Sequence, residues 1–297
     1  MPPILSTTHP LAEHLAGIKY PHADILGVAD RLVPAEQAKL QEIHEFLQTE
    51  IRPVVGEYWD REELPFDLLS KLAAHGLGEI ECSGTSRLFR GLVYAEVTRA
   101  DVSLSALVGI HNELVVSLID KLGSQEQKDT WLAGLRQFEK VGCFALTEPD
   151  HGSDIAGGLA TTAERTADGW VINGAKRWIG AGTFADFAIV FARDVADNEI
   201  KGFIVELDRD GVTREKISRK MGLRIMQNAD LGFDNVVIPA DNLIPGAESF
   251  KNTNDFLCSS RTWVGWQGAG LQLGIFDKAR EYAVKREQFG RPIAKFQ

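Results

Sequence analysis

The stretch CFALTEPDHGSDIAGG, residues 143–158, holds the densest group of chemically active side chains in this sequence. It begins with an apolar run typical of a buried strand and then changes to carboxylates, hydroxyls and an imidazole. Small residues around Gly152 follow. A surface turn needs far less chemistry than this, so the stretch is a candidate site to which a strand delivers its backbone. The alternative interpretation is a polar hairpin corner capped by Asp or Ser.

Other residues could bind or react with a ligand. In REQFGRPIAKFQ, residues 286–297, the charged side chains at the end of a predicted helix suit ordinary ion pairs. His111 and His151 have no partner at ligand spacing, so we interpret them as hydrogen-bonded or exposed rings. The three cysteines are far apart and form no zinc pattern, which predicts reduced thiols and no metal site.

Composition excludes several classes of protein. The chain has 297 residues and a net charge of −10, which argues against a nucleic-acid or anionic-membrane surface as the main partner. We find no apolar run as long as a membrane span, and the N-terminus lacks the pattern of a signal peptide. We therefore expect a globular protein with two or three domains.

Hydrophobic periodicity divides the chain into four segments. Residues 1–33 resemble an extended arm, and the three- and four-residue spacing of apolar positions over 34–141 predicts a helical domain. Residues 142–247 contain short Val/Ile/Phe-rich runs bounded by turns, which indicates a β-barrel or β-sandwich domain. The helical period returns over 248–297, which predicts the start of an incomplete C-terminal helical bundle. The fold class is thus a multi-domain α+β protein.

Three local patterns predict individual elements. Ser124 and Gln127 form a capping-box pattern at the start of a helix. The Asn173-Gly174 dipeptide predicts a tight hairpin, because both positions accept a positive φ. Residues 262–290 predict one long helix whose Gly- and Ala-rich first half lets another helix or a ligand approach closely.

The order of these segments, together with four motifs, resembles the acyl-CoA dehydrogenase and acyl-CoA oxidase flavoenzymes. The motifs are TEPDHGSD (147–154), INGAKRWIG (172–180), GLRIMQNADLGFDNVVIP (222–239) and REQFGRPIAKFQ (286–297). The sequences of these motifs are most similar to those of plant peroxisomal short-chain acyl-CoA oxidases and then to those of the glutaryl-CoA dehydrogenase branch. The family pattern continues beyond Gln297, so the chain resembles a C-terminally truncated member.

The resemblance implies FAD as the cofactor. In the family the strand that enters TEPxxGSD lies along the flavin, and the Trp at the end of the next β segment packs on it. The arginine and glutamine of the C-terminal motif hold the FAD of a neighbouring subunit, which implies a homodimer or homotetramer. The implied cofactor residues are Phe144, Leu146, Thr147, Gly152, Ser153, Trp178, Ile179, Gly180, Arg286, Phe289 and Gln297.

Gly180 departs from the dehydrogenases, which commonly have Thr at this position beside the reactive flavin nitrogen. Gly180 lacks a hydroxyl, so we expect open space there and easier access of oxygen. The resemblance also implies three substrate-binding residues: Ser153, Ser105 and Arg261. The alternative for Arg261 is a structural ion pair. Ser105 falls where glutaryl-CoA enzymes have an arginine, which disfavours a substrate with a distal carboxylate.

The family reaction needs a carboxylate base, and no residue of this sequence is assigned to it. One branch places the base where Ser260 stands, and the others place it beyond residue 297. The implied function is FAD-dependent α,β-dehydrogenation of a short-chain acyl-CoA to the trans-2-enoyl-CoA. Alternatives are an acyl-CoA oxidase, or a non-catalytic truncated fragment that binds flavin or CoA. The implied electron acceptor is an electron-transferring flavoprotein or dioxygen, and the expected location is the bacterial cytoplasm, or an organelle in a eukaryote.

Overall fold

A computed structural model describes residues 27–296 of the chain in two compact units. Within the described residues, the first unit comprises 27–52, 85–102 and 265–296. The second comprises 53–84 and 103–264. Each unit is discontinuous in sequence, so its core depends on side chains that are far apart along the chain.

The first half of the chain is helical, as its apolar spacing predicts. Short π-helical segments at Leu47–Ile51 and Ile110–Val116 interrupt the regular helices. The Ser124–Gln127 capping box is confirmed, because each side chain accepts a hydrogen bond from the backbone N–H of the other residue. The helices are α1 Pro34–Phe46, α2 Val55–Arg61, α3 Asp67–Ala74, α4 Arg87–Ala100, α5 Val102–Gly109, α6 Ser117–Leu122 and α7 Gln125–Arg136.

The segment Val102–Leu122 is long and apolar enough to cross a membrane by length and composition, with a mean hydropathy of 1.7. The expectation that no apolar run reaches this length is therefore wrong. Within the fold, however, 83% of the segment's apolar window is buried. Val115, Leu118 and Ile119 pack in the core of the second unit beside residues of the sheet. The segment therefore serves as a core helix here.

The β domain is a single seven-stranded mixed sheet, and a one-turn helix, α8 (Ile155–Gly158), precedes β2. The strand order is β1-β4-β2-β3-β7-β6, and β5 pairs with β4. Both β1 and β2 pair with β4 in parallel, and the other pairs are antiparallel. The strands are β1 Gly142–Ala145, β2 Thr162–Thr166, β3 Gly169–Ile179, β4 Phe187–Asp194, β5 Ile200–Glu206, β6 Val212–Lys216 and β7 Ala229–Ile238.

The hairpin predicted at Asn173-Gly174 is wrong. Strand β3 continues through both residues, and its register with β7 shifts between Ile172 and Gly174. Gly174 has a φ of +147°, and a Cβ there would lie 2.5 Å from Thr161 Oγ1. The dipeptide thus forms a bulge, which needs the same conformational freedom as a tight turn but does not reverse the chain.

The C-terminal helix, α9 (Phe250–Lys285), contributes residues to both units. It starts before the predicted residue 262, and residues 286–290 are not helical. They enter a small hairpin of β8 (Glu287–Gln288) and β9 (Arg291–Pro292). Close approach at glycine is confirmed within the first unit: a Cβ on Gly270 would collide with Ala95 O. The side chains of Leu271, Ile275, Phe276 and Tyr282 on α9 are exposed.

Candidate functional site

The candidate site is built around the end of β1, the strand that enters the TEPxxGSD motif. In the sheet, β1 pairs with β4, and among the described strands it forms no ladder with the second half of β3. A backbone hydrogen bond of 2.9 Å from Arg177 N–H to Thr147 O joins β3 to the motif loop just after β1. Backbone donors and acceptors at such a strand end are the kind of groups that match the polar edge of a flat heterocycle.

Two buried charges fix the end of β1. The Lys176 ammonium donates to Glu148 Oε1 at 2.7 Å and to Leu146 O at 3.2 Å. The same carboxylate accepts from the backbone N–H groups of Thr161 at 2.9 Å and Ala160 at 2.6 Å. The side chain of Lys176 is 0% exposed. One cluster therefore holds the strand end, the motif loop and β3 in a fixed arrangement.

The surroundings of this pair change both pKa values. Burial lowers the pKa of Lys176 to about 8, and the hydrogen bond to Glu148 only partly opposes that effect. Burial alone would raise the pKa of Glu148, but hydrogen bonds from Lys176, Thr161 and Ala160 lower it below its usual value. At neutral pH the pair is therefore an ammonium and a carboxylate. Sequence reasoning missed both residues, although a lone lysine at an inward position of an apolar strand was a usable signal.

The Glu148 carboxylate makes the free energy of unfolding depend on pH in the acid range. Its folded-state pKa lies below the ordinary 4.5, so its stabilising contribution is present above about pH 4.5 and is lost as pH falls through the folded value. We expect Glu148→Gln to lower the free energy of unfolding at pH 7 and to flatten its decline below pH 4.5. Urea unfolding between pH 3 and 7 measures this. An unchanged acid slope in the variant would contradict it.

The motif loop beyond Glu148 is compact and open to solvent. Glu148 N–H donates to His151 O at 2.9 Å, and the His151 ring contacts Asp154 Oδ2 at 2.8 Å. The hydrogen bond to Asp154 raises the pKa of His151. A Cβ on Gly152 would meet nothing within 4 Å, so the space beside it is open. Ser153 is exposed at the same surface, as a ligand-facing hydroxyl requires.

Trp178 is held in an uncommon conformation at the end of β3. Its φ is +63°, in the left-handed region, and the register with β7 shifts between Lys176 and Ile179. The residue is 51% exposed, although Ile179 and Gly180 next to it are buried. Such a backbone conformation costs on the order of 1–3 kcal/mol in a non-glycine residue and is typical of functional sites.

Asn228 stabilises this conformation. Its side-chain amide donates to Trp178 O at 2.8 Å, and Lys220 Nζ donates to Asn228 Oδ1 at 2.5 Å. We expect Asn228→Ala to destabilise the chain by about 1 kcal/mol and to change the accessibility of Trp178. Thermal unfolding and acrylamide quenching of tryptophan fluorescence measure the two effects. Asn198→Ala, at another residue with a positive φ, is the control and should leave the quenching of Trp178 unchanged. Unaltered quenching in the Asn228 variant would contradict the role.

The expectation of open space at Gly180 is wrong. A Cβ on Gly180 would collide with Met226 Cε and lie 2.9 Å from Ile110 Cδ1. The volume that a longer side chain at position 180 would take is therefore filled by residues from two other segments. Sequence reasoning treated position 180 alone and had no signal for the neighbours.

Two of the predicted substrate residues differ in exposure. Ser105 on α5 is fully buried in the second unit. Arg261 on α9 is exposed, and its Nη1 contacts Cys258 Sγ at 3.2 Å. No ion pair of Arg261 occurs among residues 27–296, so the structural alternative weighed for it has no support in the described part of the chain. The Ser260 hydroxyl donates to Leu257 O at 3.0 Å within its own helix.

The predicted phosphate-binding residues belong to the first unit. Phe289 is 95% exposed in the β8–β9 hairpin, with a φ of +50°. Gln297 lies outside the described residues. Arg286 borders a shallow groove of about 570 Å³, which is lined by Lys278, Glu281, Tyr282, Lys285 and Arg286. Three of these five side chains are cationic, but Glu281 pairs with Lys285 at 2.7 Å and lies 3.7 Å from Lys278, so the ordinary ion pairs expected at this helix end are present.

Two family models match the chain. The model described as "Acyl-CoA dehydrogenase, N-terminal domain" matches residues 34–139, and "Acyl-CoA dehydrogenase, middle domain" matches residues 143–236. The mouse mitochondrial short-chain specific acyl-CoA dehydrogenase is 34% identical over 90% of this chain and 67% of its own. A short-chain specific acyl-CoA dehydrogenase of Clostridium acetobutylicum is 31% identical over 86% of this chain and 70% of its own. The chain thus spans about two thirds of these relatives.

Solved structures share the fold. Glutaryl-CoA dehydrogenase from Mycobacterium smegmatis in complex with FADH2 has a TM-score of 0.85 at 32% identity, over 92% of this chain and 71% of its own. Butyryl-CoA dehydrogenase from Megasphaera elsdenii has a TM-score of 0.81 at 30% identity, and the match covers 90% of this chain and 73% of that one. A chain from a structure of the electron-transferring flavoprotein of Acidaminococcus fermentans has a TM-score of 0.82 at 30% identity. The match covers 90% of this chain and 72% of that one. The predicted order of a helical domain, a β domain and a C-terminal helix is confirmed.

Proposed function

The chain belongs to the acyl-CoA dehydrogenase family, and on that basis we propose that it carries out FAD-dependent α,β-dehydrogenation of a short-chain acyl-CoA. The observation that carries this proposal is the half-exposed Trp178 at the end of β3, next to Arg177, whose N–H donates to Thr147 O just after β1. An aromatic side chain next to backbone donors and acceptors suits a flat, conjugated ring.

The residues at the ends of β1 and β3 have distinct proposed roles. The backbone of Phe144, Leu146 and Thr147 would hold the polar edge of the flavin, and Trp178 would pack on its face. The Lys176–Glu148 pair fixes the same strand end and so would keep its backbone donors and acceptors in place for the ring. When bound, FAD supplies the two-electron acceptor for the hydrogens that leave the substrate.

The substrate side rests on fewer residues. Ser153, with Gly152 beside it, would face the acyl-CoA, and Arg261 would provide a cation at a second point. The reaction needs a carboxylate that removes the α-proton. Glu148 is committed to Lys176 and to two backbone amides, and Ser260 has no basic group, so neither supplies this carboxylate. A non-catalytic flavin-binding protein is therefore the second candidate function.

Partners and location follow the relatives. Enzymes from a bacterium and from mitochondria are among them, so the cytoplasm of a bacterium or an organelle of a eukaryote is the proposed location. An electron-transferring flavoprotein is the proposed acceptor. The exposed Phe289 and the groove at Arg286 lie in the same unit, and both support a proposed homodimer that shares FAD between subunits.

The test is an anaerobic titration. The chain is purified with FAD, its absorbance spectrum is recorded, and butyryl-CoA is added without oxygen. Loss of the oxidised flavin band supports dehydrogenation. A yellow protein that keeps this band supports the non-catalytic candidate, and a protein that retains no flavin contradicts both.

A further inference from the structure

The loop between β6 and β7, residues 217–228, contains neither helix nor strand. Its two ends meet, because Ile217 N–H donates to Asn228 O at 2.9 Å. Ile225 is fully buried and anchors the second half of the loop in the second unit. The first half is mostly exposed, and Met221 within it is 98% exposed. Contacts with another segment must therefore hold this first half in place.

The first half of the loop is held by Glu62, the residue that follows α2 in the same unit. Both carboxylate oxygens of Glu62 accept from Arg219 N–H at 3.0 Å, and Oε1 also lies 3.1 Å from Arg224 Nη1. Arg224 donates to Trp59 O at 2.9 Å and to Asp60 O at 3.1 Å. One carboxylate therefore ties the loop to the end of α2 at two points.

The loop in turn reaches Trp178. Lys220 Nζ donates to Asn228 Oδ1 at 2.5 Å, and the Asn228 amide donates to Trp178 O at 2.8 Å. Lys220 O accepts from Arg224 Nη1 at 3.1 Å, so the backbone of Lys220 is fixed by a residue that Glu62 holds. The contacts form a continuous network from Glu62 to the tryptophan with the uncommon φ of +63°.

We infer that Glu62 is a positioning residue for Trp178, which it keeps in the left-handed, half-exposed conformation through the loop at 217–228. The Glu62 side chain is only 12% exposed, so its contacts with the loop are shielded from solvent. The element that both ends of the network share is Lys220. The inference concerns the conformation of the chain itself and holds with or without a ligand.

The charges around Lys220 make the network sensitive to alkaline pH. The pKa of Lys220 is lowered to about 8, chiefly by burial. The cations Lys216 and Arg224 add to this effect, and the Glu62 carboxylate opposes it. Loss of the proton weakens the charge-assisted hydrogen bond of the ammonium, so we expect the surroundings of Trp178 to change as pH rises through about 8.

The first test measures acrylamide quenching of tryptophan fluorescence in the full chain between pH 6 and 10. Each variant is prepared with and without Trp178→Phe, so that the difference reports Trp178 alone. At pH 7, Glu62→Gln should raise the quenching of Trp178 by about 1.5- to 2-fold, the upper limit being set by its present exposure of 51%. The alkaline transition should move to a lower pH, because the carboxylate that favours the ammonium is gone.

Glu63→Gln is the matched control. It removes the same charge from the neighbouring residue, which pairs with Arg61 at 3.2 Å, and it should leave the quenching of Trp178 and its transition unchanged. Equal effects of the two variants would overturn the inference, since they would show a general effect of charge.

Limited digestion with trypsin shows whether Glu62→Gln acts on the loop. Cleavage after Arg219 and Lys220 should become at least about fivefold faster, while cleavage after Arg209, in another turn of the same unit, should keep its rate. Faster cleavage of the loop with unaltered quenching of Trp178 would overturn the inference, because Glu62 would then hold the loop but not the tryptophan.

Lys220→Met breaks the same network at its middle, and it serves if Glu62→Gln does not fold. It should raise the quenching of Trp178 at pH 7 and abolish the alkaline transition. A transition near pH 8 that persists in this variant would contradict the role of Lys220 and, with it, the inference. None of these measurements involves a cofactor, so failure of the butyryl-CoA titration would overturn the proposed function and leave this inference standing.

Discussion

Replacement of Lys176 by methionine is expected to lower the free energy of unfolding by about 3–5 kcal/mol. The variant leaves the Glu148 carboxylate buried without its cation, and Leu146 O loses a donor. Methionine keeps most of the volume, so the loss reports charge and hydrogen bonding more than packing. Urea unfolding at pH 7 measures the effect.

The matched control for this prediction is Lys140→Met. Lys140 Nζ pairs with Asp186 at 2.8 Å in the same unit, but its side chain is half exposed, so we expect a loss of at most about 1 kcal/mol. Combining Lys176→Met with Glu148→Gln removes both charges and should cost less than the sum of the single changes. Equal losses of the free energy of unfolding for Lys176→Met and Lys140→Met would show that the buried pair stabilises the fold no more than an exposed pair does.

The structure also predicts that Lys176→Met weakens the binding of FAD. Lys176 anchors Leu146 O, next to the backbone proposed to hold the ring, so Lys176→Met should weaken FAD binding more than Lys140→Met does. Equilibrium dialysis with FAD measures the two dissociation constants. Equal FAD dissociation constants for the two variants would contradict the proposed role of the strand in FAD binding, even if Lys176 stabilises the fold.

The second large effect is expected from Arg99→Met in the first unit. Arg99 is buried on α4, where its Nε lies 2.6 Å from Asp277 Oδ2 and its Nη1 lies 3.2 Å from Glu96 Oε1. Glu96 also contacts His44 Nδ1 at 2.6 Å. The change leaves the buried Glu96 carboxylate and the partly buried Asp277 carboxylate without their shared cation, so we expect a loss of about 3–5 kcal/mol.

Arg209→Met is the control for Arg99. Its Nε also lies 2.6 Å from a carboxylate oxygen, that of Glu206, but both side chains are partly exposed. A loss of at most about 1 kcal/mol is expected there. Arg99→Lys keeps the charge without the guanidinium fork, so it should recover only part of the loss. A small effect of Arg99→Met in urea unfolding would contradict the importance of this cluster.

Local patterns in the sequence were sufficient for most elements. Helical spacing over 34–141 and the Ser124–Gln127 capping box depend on neighbours within one or two turns, and both predictions are confirmed. The Asn173-Gly174 hairpin failed because the same dipeptide also suits a bulge. Pairing of β3 with β7, which decides between the two, is a long-range property.

The site could be predicted only as separate pieces. The motif resemblance indicated the strand end and Trp178, but the Lys176–Glu148 pair joins residues 28 apart in sequence. Gly180, Ile110 and Met226 belong to three segments, and only the folded chain shows that they share one volume. Periodicity and motif spacing do not contain such contacts, because packing decides them.

The packing of Gly180 against Met226 also constrains how this chain could have evolved. A side chain gained at position 180 meets an occupied space as long as the methionine remains, and a methionine lost first leaves a void. A single replacement at position 180 therefore requires the Met226 and Ile110 side chains to shift, whereas a paired replacement at positions 180 and 226 requires less rearrangement. Among homologues of this chain, positions 180 and 226 should change together, with the larger residue at one position or the other.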